Sequence, residues 1–149
     1  MVYDHVCVVG LGYVGLPTAA VLASRGIRVT GVDVNPKTVA SINAGQPHII
    51  ETDLDMVVHG AVSKGQLSAR IDSVEADAFI IAVPTPFDEN HKPDLSYLEA
   101  ATHAIAPVLK KGDLVVVEST VPIGATQQVA SWLAADRPDL KMPELSNPT

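Results

Sequence analysis

A glycine hexamer between a strand pattern and a helix pattern constrains the fold of this chain more than any other feature. Gly10, Gly12 and Gly15 form G-x-G-x-x-G, directly after the apolar run His5–Val9 and at the start of a helix pattern over 13–25. The first glycine permits a tight turn, the second lets the backbone approach a diphosphate, and the third lets helix and strand pack closely. Amides at the helix N-terminus then bind the diphosphate. The pattern therefore predicts a dinucleotide-binding βαβ unit.

An acidic residue at the end of the second strand supports this interpretation. A carboxylate roughly 20 residues after the glycines accepts hydrogen bonds from the adenosine ribose in such units. Asp33 follows the apolar stretch Arg28–Val32 and is 18 positions beyond Gly15. The alternative is a plain strand-to-helix turn with an incidental aspartate. Asp33 also predicts NAD rather than NADP, because it would repel a 2′-phosphate and Val34 offers no cation, although Lys37 partly offsets this.

The rest of the chain alternates between helix and strand patterns. The first helix carries Val14, Thr18, Val21 and Leu22 at helical spacing and ends at Gly26. Further helices are predicted from Asn35-Pro36, from a cap at Thr52 or Asp53 to Gly65, over 98–109 with a bend at Pro107, and over 125–135. A short strand is predicted over 67–71, and buried strands over 78–83 and 114–117. We expect a single-domain α/β fold, a Rossmann-type doubly wound parallel sheet of about five strands. The dinucleotide-binding domain is expected over 1–136, followed by a proline-rich segment over 137–149.

Polar residues follow two of the later strands. Because open α/β sheets bind ligands at the carboxyl ends of their strands, we expect these residues to face the cofactor. The alternative is that Pro84 and Pro86 only make the loop rigid and that Ser119 and Thr120 only end a strand. Thr126 begins the next helix, so its hydroxyl is expected to face the same crevice. The predicted cofactor-binding residues are Gly10, Leu11, Gly12, Tyr13, Val14, Gly15, Asp33, Val83, Pro84, Thr85, Ser119, Thr120 and Thr126.

Composition and charge disfavour several other functions. A net charge of −7 makes nucleic acid an unlikely partner. Cys7 is the only cysteine, and its place in a buried run predicts a core residue, not a nucleophile. The five histidines are scattered and the acidic residues at 51–55 suit a helix start, so no metal site is predicted. No apolar run approaches the ~20 residues of a membrane span, and no signal peptide is recognisable, which predicts a cytoplasmic protein.

Three motifs in order resemble the UDP-glucose/GDP-mannose dehydrogenase family. They are Gly10–Pro17, Val83–Pro86 with Pro93–Tyr97, and Glu118–Gly124, and the likeness extends from about His5 to Leu140, while Glu144–Thr149 does not resemble the family. The resemblance implies oxidation of the C6 alcohol of a nucleotide sugar to a carboxylate, with two NAD and a thiohemiacetal on a cysteine. It implies that Tyr13, Val14, Asp33, Thr85 and Thr126 hold NAD and that Thr120 is near the reacting centre. The family's catalytic cysteine and lysine match nothing here, so no catalytic residue is predicted within the chain.

The sequence around His48, Lys110, Thr126 and Trp132 resembles the branch of the family that oxidises UDP-N-acetyl-D-mannosamine. That implies a place in surface polysaccharide synthesis, a UDP-sugar bound by a domain absent here, a homodimeric full-length enzyme and an inactive fragment. Oxidation of UDP-glucose or UDP-N-acetylglucosamine is the alternative. A non-catalytic NAD-sensing module is a remoter one, because a sensor needs no second set of polar groups facing the nicotinamide.

Overall fold

The computed structural model describes residues 3–143, and its centre is a five-stranded sheet. The strands are β1 His5–Val9, β2 Arg28–Val32, β3 Leu67–Arg70, β4 Ala78–Ile81 and β5 Leu114–Val117. Their order is β3-β2-β1-β4-β5, and every neighbouring pair is parallel. The strand order changes direction between β1 and β4, which is where ligands bind in sheets of this kind. The prediction of a doubly wound parallel sheet is confirmed.

Helices cover both faces of the sheet. They are α1 Gly15–Ser24, α2 Pro36–Asn43, α3 Leu54–Ser63, α4 Ser96–Ile105 and α5 Ala125–Asp136. On one face, α1, α2 and α3 pack against β1, β2 and β3, with Leu16, Ile42 and Val58 fully buried. On the other face, α4 and α5 pack against β4, where Phe79 and Leu98 are fully buried. The two apolar layers hold the carboxyl ends of the strands in one row.

Two helix starts differ in how they are capped. The side chain of Asn35 accepts a hydrogen bond from the N–H of Lys37 at 3.0 Å, and Pro36 begins α2, as predicted. Asp53 precedes α3, but its backbone is left-handed (φ 66°) and its side chain caps nothing. A capping side chain reaches the first-turn amides from an extended backbone, so the prediction of a side-chain cap by Asp53 was wrong.

The structure corrects two further expectations. α4 ends at Ile105, and Pro107 lies in a separate 3₁₀ turn, Ala106–Val108, because a proline ring cannot continue an α-helix. β5 is not a buried strand, since Leu114 and Val116 are 41% and 38% exposed. It is the last strand of the described sheet, and α4 and α5 cover only the face that carries Val115 and Val117.

The two edges of the sheet are not alike. The side-chain amide of Asn43 donates to the carbonyl of Ala69 at 2.9 Å and accepts from its N–H at 2.8 Å. It thereby takes the place of a neighbouring strand at β3. At the opposite edge, β5 pairs with β4 alone among the described residues.

Candidate cofactor-binding site

The glycine turn joins β1 to α1 with little room around its backbone. Gly10 has a φ of +94°, and its N–H donates to the carbonyl of Val32 at 2.8 Å. A Cβ at Gly10 would lie 2.8 Å from the carbonyl oxygen of Ala82. A Cβ at Gly15 would lie 1.7 Å from the carbonyl oxygen of Gly10. Both positions therefore require glycine for the turn, the helix and the end of β4 to meet.

Gly12 differs, because a Cβ there would meet no atom within 4 Å. The N–H groups of Gly12, Tyr13 and Val14 donate to no described residue, and no side chain caps α1. The side chains of Tyr13 and Val14 are 74% and 49% exposed. Unpaired amides at a helix N-terminus, beside open space at Gly12, fit the diphosphate of a dinucleotide.

Leu11 contributes through its backbone alone. Its side chain is fully buried and fills the space that a side chain at Gly31 would need, with Cδ2 2.7 Å from an ideal Cβ there. Its N–H donates to Oδ2 of Asp33 at 3.1 Å.

The carboxylate of Asp33 is oriented by two backbone N–H groups. Besides the bond from Leu11, Oδ1 accepts from the N–H of Asn35 at 2.9 Å. A carboxylate oxygen can accept more than one hydrogen bond, so both oxygens keep capacity for ribose hydroxyls. The structure thus brings Asp33 next to the glycine turn.

The ends of β4 and β5 are tied together by side chains. The hydroxyl of Ser119 donates to the carbonyl of Val83 at 2.7 Å, and the hydroxyl of Thr85 donates to the carbonyl of Thr120. Pro84 lies between them and is exposed. The residues predicted at the two strand ends therefore form one cluster.

Thr126 is not joined to that cluster by a hydrogen bond. It is exposed in the first turn of α5 and lines a cavity of about 380 Å³ beside the outer edge of β5. The opposite wall of the cavity is residues 139–143.

Two residues near the site were missing from the predicted set. The hydroxyl of Thr18, on α1, donates to Oε1 of Glu118, which directly follows β5, at 2.8 Å. The other oxygen, Oε2, is buried and has no hydrogen-bond partner among the described residues. The signal in the sequence was a carboxylate at the end of an apolar strand, but no spacing rule joins residues 100 positions apart.

Cys7 is fully buried in β1, as predicted. Burial raises the pKa of its thiol to about 11, against a weaker lowering by a backbone hydrogen bond from Val74. Such a thiol is protonated and shielded, so it is not a nucleophile. Among residues 3–143, no group of three His, Cys, Asp or Glu side chains could hold a metal ion, and no helix combines the length and apolar character needed to cross a membrane.

Comparisons with known proteins identify the class of this site. Residues 4–148 match the model of the UDP-glucose/GDP-mannose dehydrogenase family, NAD binding domain. The chain is 63% identical to an NDP-N-acetyl-D-galactosaminuronic acid dehydrogenase from Ralstonia nicotianae over 95% of this chain and 33% of that protein. It is 58% identical to a UDP-N-acetyl-D-mannosamine dehydrogenase from Campylobacter jejuni over 95% and 35% of the two chains. The solved UDP-N-acetyl-D-mannosamine dehydrogenase of Pyrococcus horikoshii superposes with a TM-score of 0.85 at 40% identity, over 89% of this chain and 32% of that one.

The chain belongs to the UDP-glucose/GDP-mannose dehydrogenase family and corresponds to its NAD-binding domain. It spans about a third of the length of the curated relatives that it matches. The match extends to residue 148, beyond Leu140, so the expectation that the last residues do not resemble the family was wrong. The predicted structure of Glu144–Thr149 lies outside the described residues.

Proposed function

We propose that the full-length protein is an NAD-dependent dehydrogenase of a nucleotide N-acetylhexosamine, with UDP-N-acetyl-D-mannosamine as the first candidate substrate. The observation that carries the NAD site is the set of unpaired amides at the start of α1, beside the open space at Gly12. NAD, when bound, accepts the hydride that leaves the sugar C6.

The roles of the residues follow from their places along the row of strand ends. The amides of Gly12, Tyr13 and Val14 bind the diphosphate, and Asp33 binds the adenosine ribose. Gly10, Leu11 and Gly15 shape the turn. Val83, Pro84, Thr85, Ser119 and Thr120 line the nicotinamide half, and the family resemblance assigns Thr126 to NAD binding as well. These groups orient the cofactor and exclude water; the groups that act on the sugar belong to the part of the enzyme beyond this chain.

The substrate proposal rests on two relatives that have comparable sequence identity to this chain but are named for different sugars. The Campylobacter jejuni relative supports UDP-N-acetyl-D-mannosamine. The Ralstonia nicotianae relative, to which the identity is higher, supports an N-acetyl-D-galactosamine nucleotide as a second candidate. Both sugars carry an N-acetyl group, which makes UDP-glucose a weaker candidate than either.

The remaining proposals concern the whole protein. We place the end of the NAD-binding domain near residue 136, where α5 ends. Because nucleotide sugars and NAD are metabolites of the cytoplasm, we place the reaction there, with its product used in polysaccharide synthesis. A homodimer, implied by the family resemblance, stays a prediction.

Two measurements test this function. Calorimetric titration of the 149-residue chain with NAD should give saturable binding that Gly12→Ala weakens at least about tenfold. The intact parent enzyme should produce NADH with UDP-N-acetyl-D-mannosamine and little with UDP-glucose. Selective turnover of UDP-N-acetyl-D-galactosamine would establish the second candidate instead, and selective turnover of UDP-glucose would contradict both.

A further inference from the structure

Glu118 projects from the end of β5 toward α1. Its N–H donates to the carbonyl of Ile81 at 2.8 Å, which fixes it beside the end of β4. Side chains alternate along a strand, and Val117 packs in the core with α4 and α5. Glu118 therefore points to the opposite face, where it meets Thr18 of α1.

The carboxylate of Glu118 lacks a cation. Oε1 accepts a hydrogen bond from a neutral hydroxyl, and Oε2 is buried without a partner in the described part of the chain. No ion pair among residues 3–143 includes Glu118. Withdrawing a carboxylate oxygen from water without a partner is costly, and a native structure that retains one needs an explanation. A positively charged ligand supplies one.

The strand order places Glu118 under one end of the cofactor. In the NAD site proposed above, the diphosphate would lie at the start of α1 and the adenosine half would extend to Asp33 at the end of β2. β4 and β5 lie on the other side of β1. A dinucleotide lies across the strand ends with one half on each side of the point where the strand order changes direction, between β1 and β4. The nicotinamide half is therefore expected over β4 and β5. The oxidised nicotinamide ring carries one positive charge, which reduction removes.

We propose that Glu118 is the counter-charge of the oxidised nicotinamide ring and makes this site bind NAD in preference to NADH. The proposal rests on the NAD site proposed above. Thr18 orients the carboxylate through its hydrogen bond. Once hydride has been transferred, the attraction disappears, so the reduced cofactor dissociates more readily than the oxidised one does. A reaction that consumes two NAD in succession benefits from that exchange.

The test compares three ligands on the 149-residue chain. NAD, NADH and ADP-ribose share the adenosine diphosphate. Only NAD carries a positive charge on the nicotinamide ring, and ADP-ribose has no nicotinamide ring. Glu118→Gln keeps the shape of the side chain and an acceptor for Thr18, and removes the charge. We expect its affinity for NAD to fall about tenfold, from a charge pair within a few ångströms near a protein surface. Its affinity for NADH and ADP-ribose should change less than about twofold.

Two control variants separate charge from structure. Glu75→Gln removes the same charge next to the strand starts, where the carboxylate is 73% exposed, and should leave all three affinities unchanged. Thr18→Val removes the hydrogen bond and keeps the charge, so the preference for NAD over NADH should persist.

Equal weakening of NAD and NADH by Glu118→Gln would overturn the proposal, because it would indicate a role in shape alone. Unchanged NAD affinity would also overturn it. The wild-type chain gives a test that needs no variant, since NADH binding as tight as NAD binding contradicts the proposal directly. Failure of the wild-type chain to bind any of the three ligands would instead refute the proposed cofactor site.

Discussion

Substituting alanine at Gly15 and at Gly12 should separate the stability of the glycine turn from its ability to bind a ligand. At Gly15, the new Cβ would lie 1.7 Å from the carbonyl oxygen of Gly10 and 2.9 Å from its carbon. Ordinary contacts of a Cβ are 3.4–4 Å. The clash is with the backbone of Gly10, which cannot rotate away as a flexible side chain could, so either α1 or the turn must move.

The cost of Gly15→Ala follows from what α1 buries. Leu16, Ala19 and Ala20 are fully buried, so a shift that clears the clash pulls apolar surface out of contact. Overpacking in a core costs about 1–3 kcal/mol and occasionally more. A backbone clash belongs at or above the upper end of that range, so we expect roughly 3–5 kcal/mol of a total stability of about 5–15 kcal/mol. At this chain length each kcal/mol lowers Tm by about 2–4 °C, which gives a fall of roughly 10 °C.

Thermal unfolding followed by far-UV circular dichroism measures this fall, and titration with NAD measures binding. Gly12→Ala is the matched control, because its Cβ meets nothing and its Tm should stay within about 2 °C of wild type. The same methyl group would occupy the space proposed for the diphosphate, so NAD affinity should fall at least about tenfold. A Gly15→Ala protein with wild-type Tm, or a Gly12→Ala protein with wild-type affinity, would refute this reasoning.

Three further outcomes are expected. The chain should bind NAD more tightly than NADP in calorimetric titrations, and Asp33→Ser should narrow the gap; equal affinities for wild type would contradict the role of Asp33. The chain with NAD and UDP-N-acetyl-D-mannosamine should produce no NADH, because Cys7 is buried and its pKa is about 11; production abolished by Cys7→Ala would contradict this. The ring N–H of His103 donates a hydrogen bond to the carboxylate of Asp136, which raises the pKa of His103 above 6.5, so the stability that this contact adds is fully present below pH 6.5 and is lost as pH rises through the raised pKa. Thermal unfolding measured across that pH range should show a weaker dependence of Tm on pH in His103→Gln, and an unchanged dependence in the His91→Gln control.

Local chemistry made the cofactor end of the fold predictable from sequence. The glycine spacing, the acid at the end of β2 and the Asn35-Pro36 helix start each depend on neighbours a few positions away. The turn has the conformation that Gly10 permits, and Asn35 caps α2 as expected.

Packing between distant segments could not be read in the same way. Val14, Thr18 and Val21 suggested the buried face of α1, yet Val21 is 54% exposed, and the buried positions include Ala19 and Ala20. A helix that lies close on a sheet buries small residues, and spacing alone does not distinguish the two faces. An apolar run likewise does not tell a central strand from one at the edge of a sheet, which is why β5 was expected to be buried.

The amide of Asn43 has a consequence for how copies of this domain can associate. Edge strands join other chains through their free backbone groups. If β3 were open, the β5 edge of one copy could pair with the β3 edge of the next, and such head-to-tail contacts do not close, so they produce fibres. With Ala69 already paired to Asn43, the β3 edge offers fewer free backbone groups for such a contact. One asparagine bound to β3 therefore disfavours the open-ended, head-to-tail mode of association between copies.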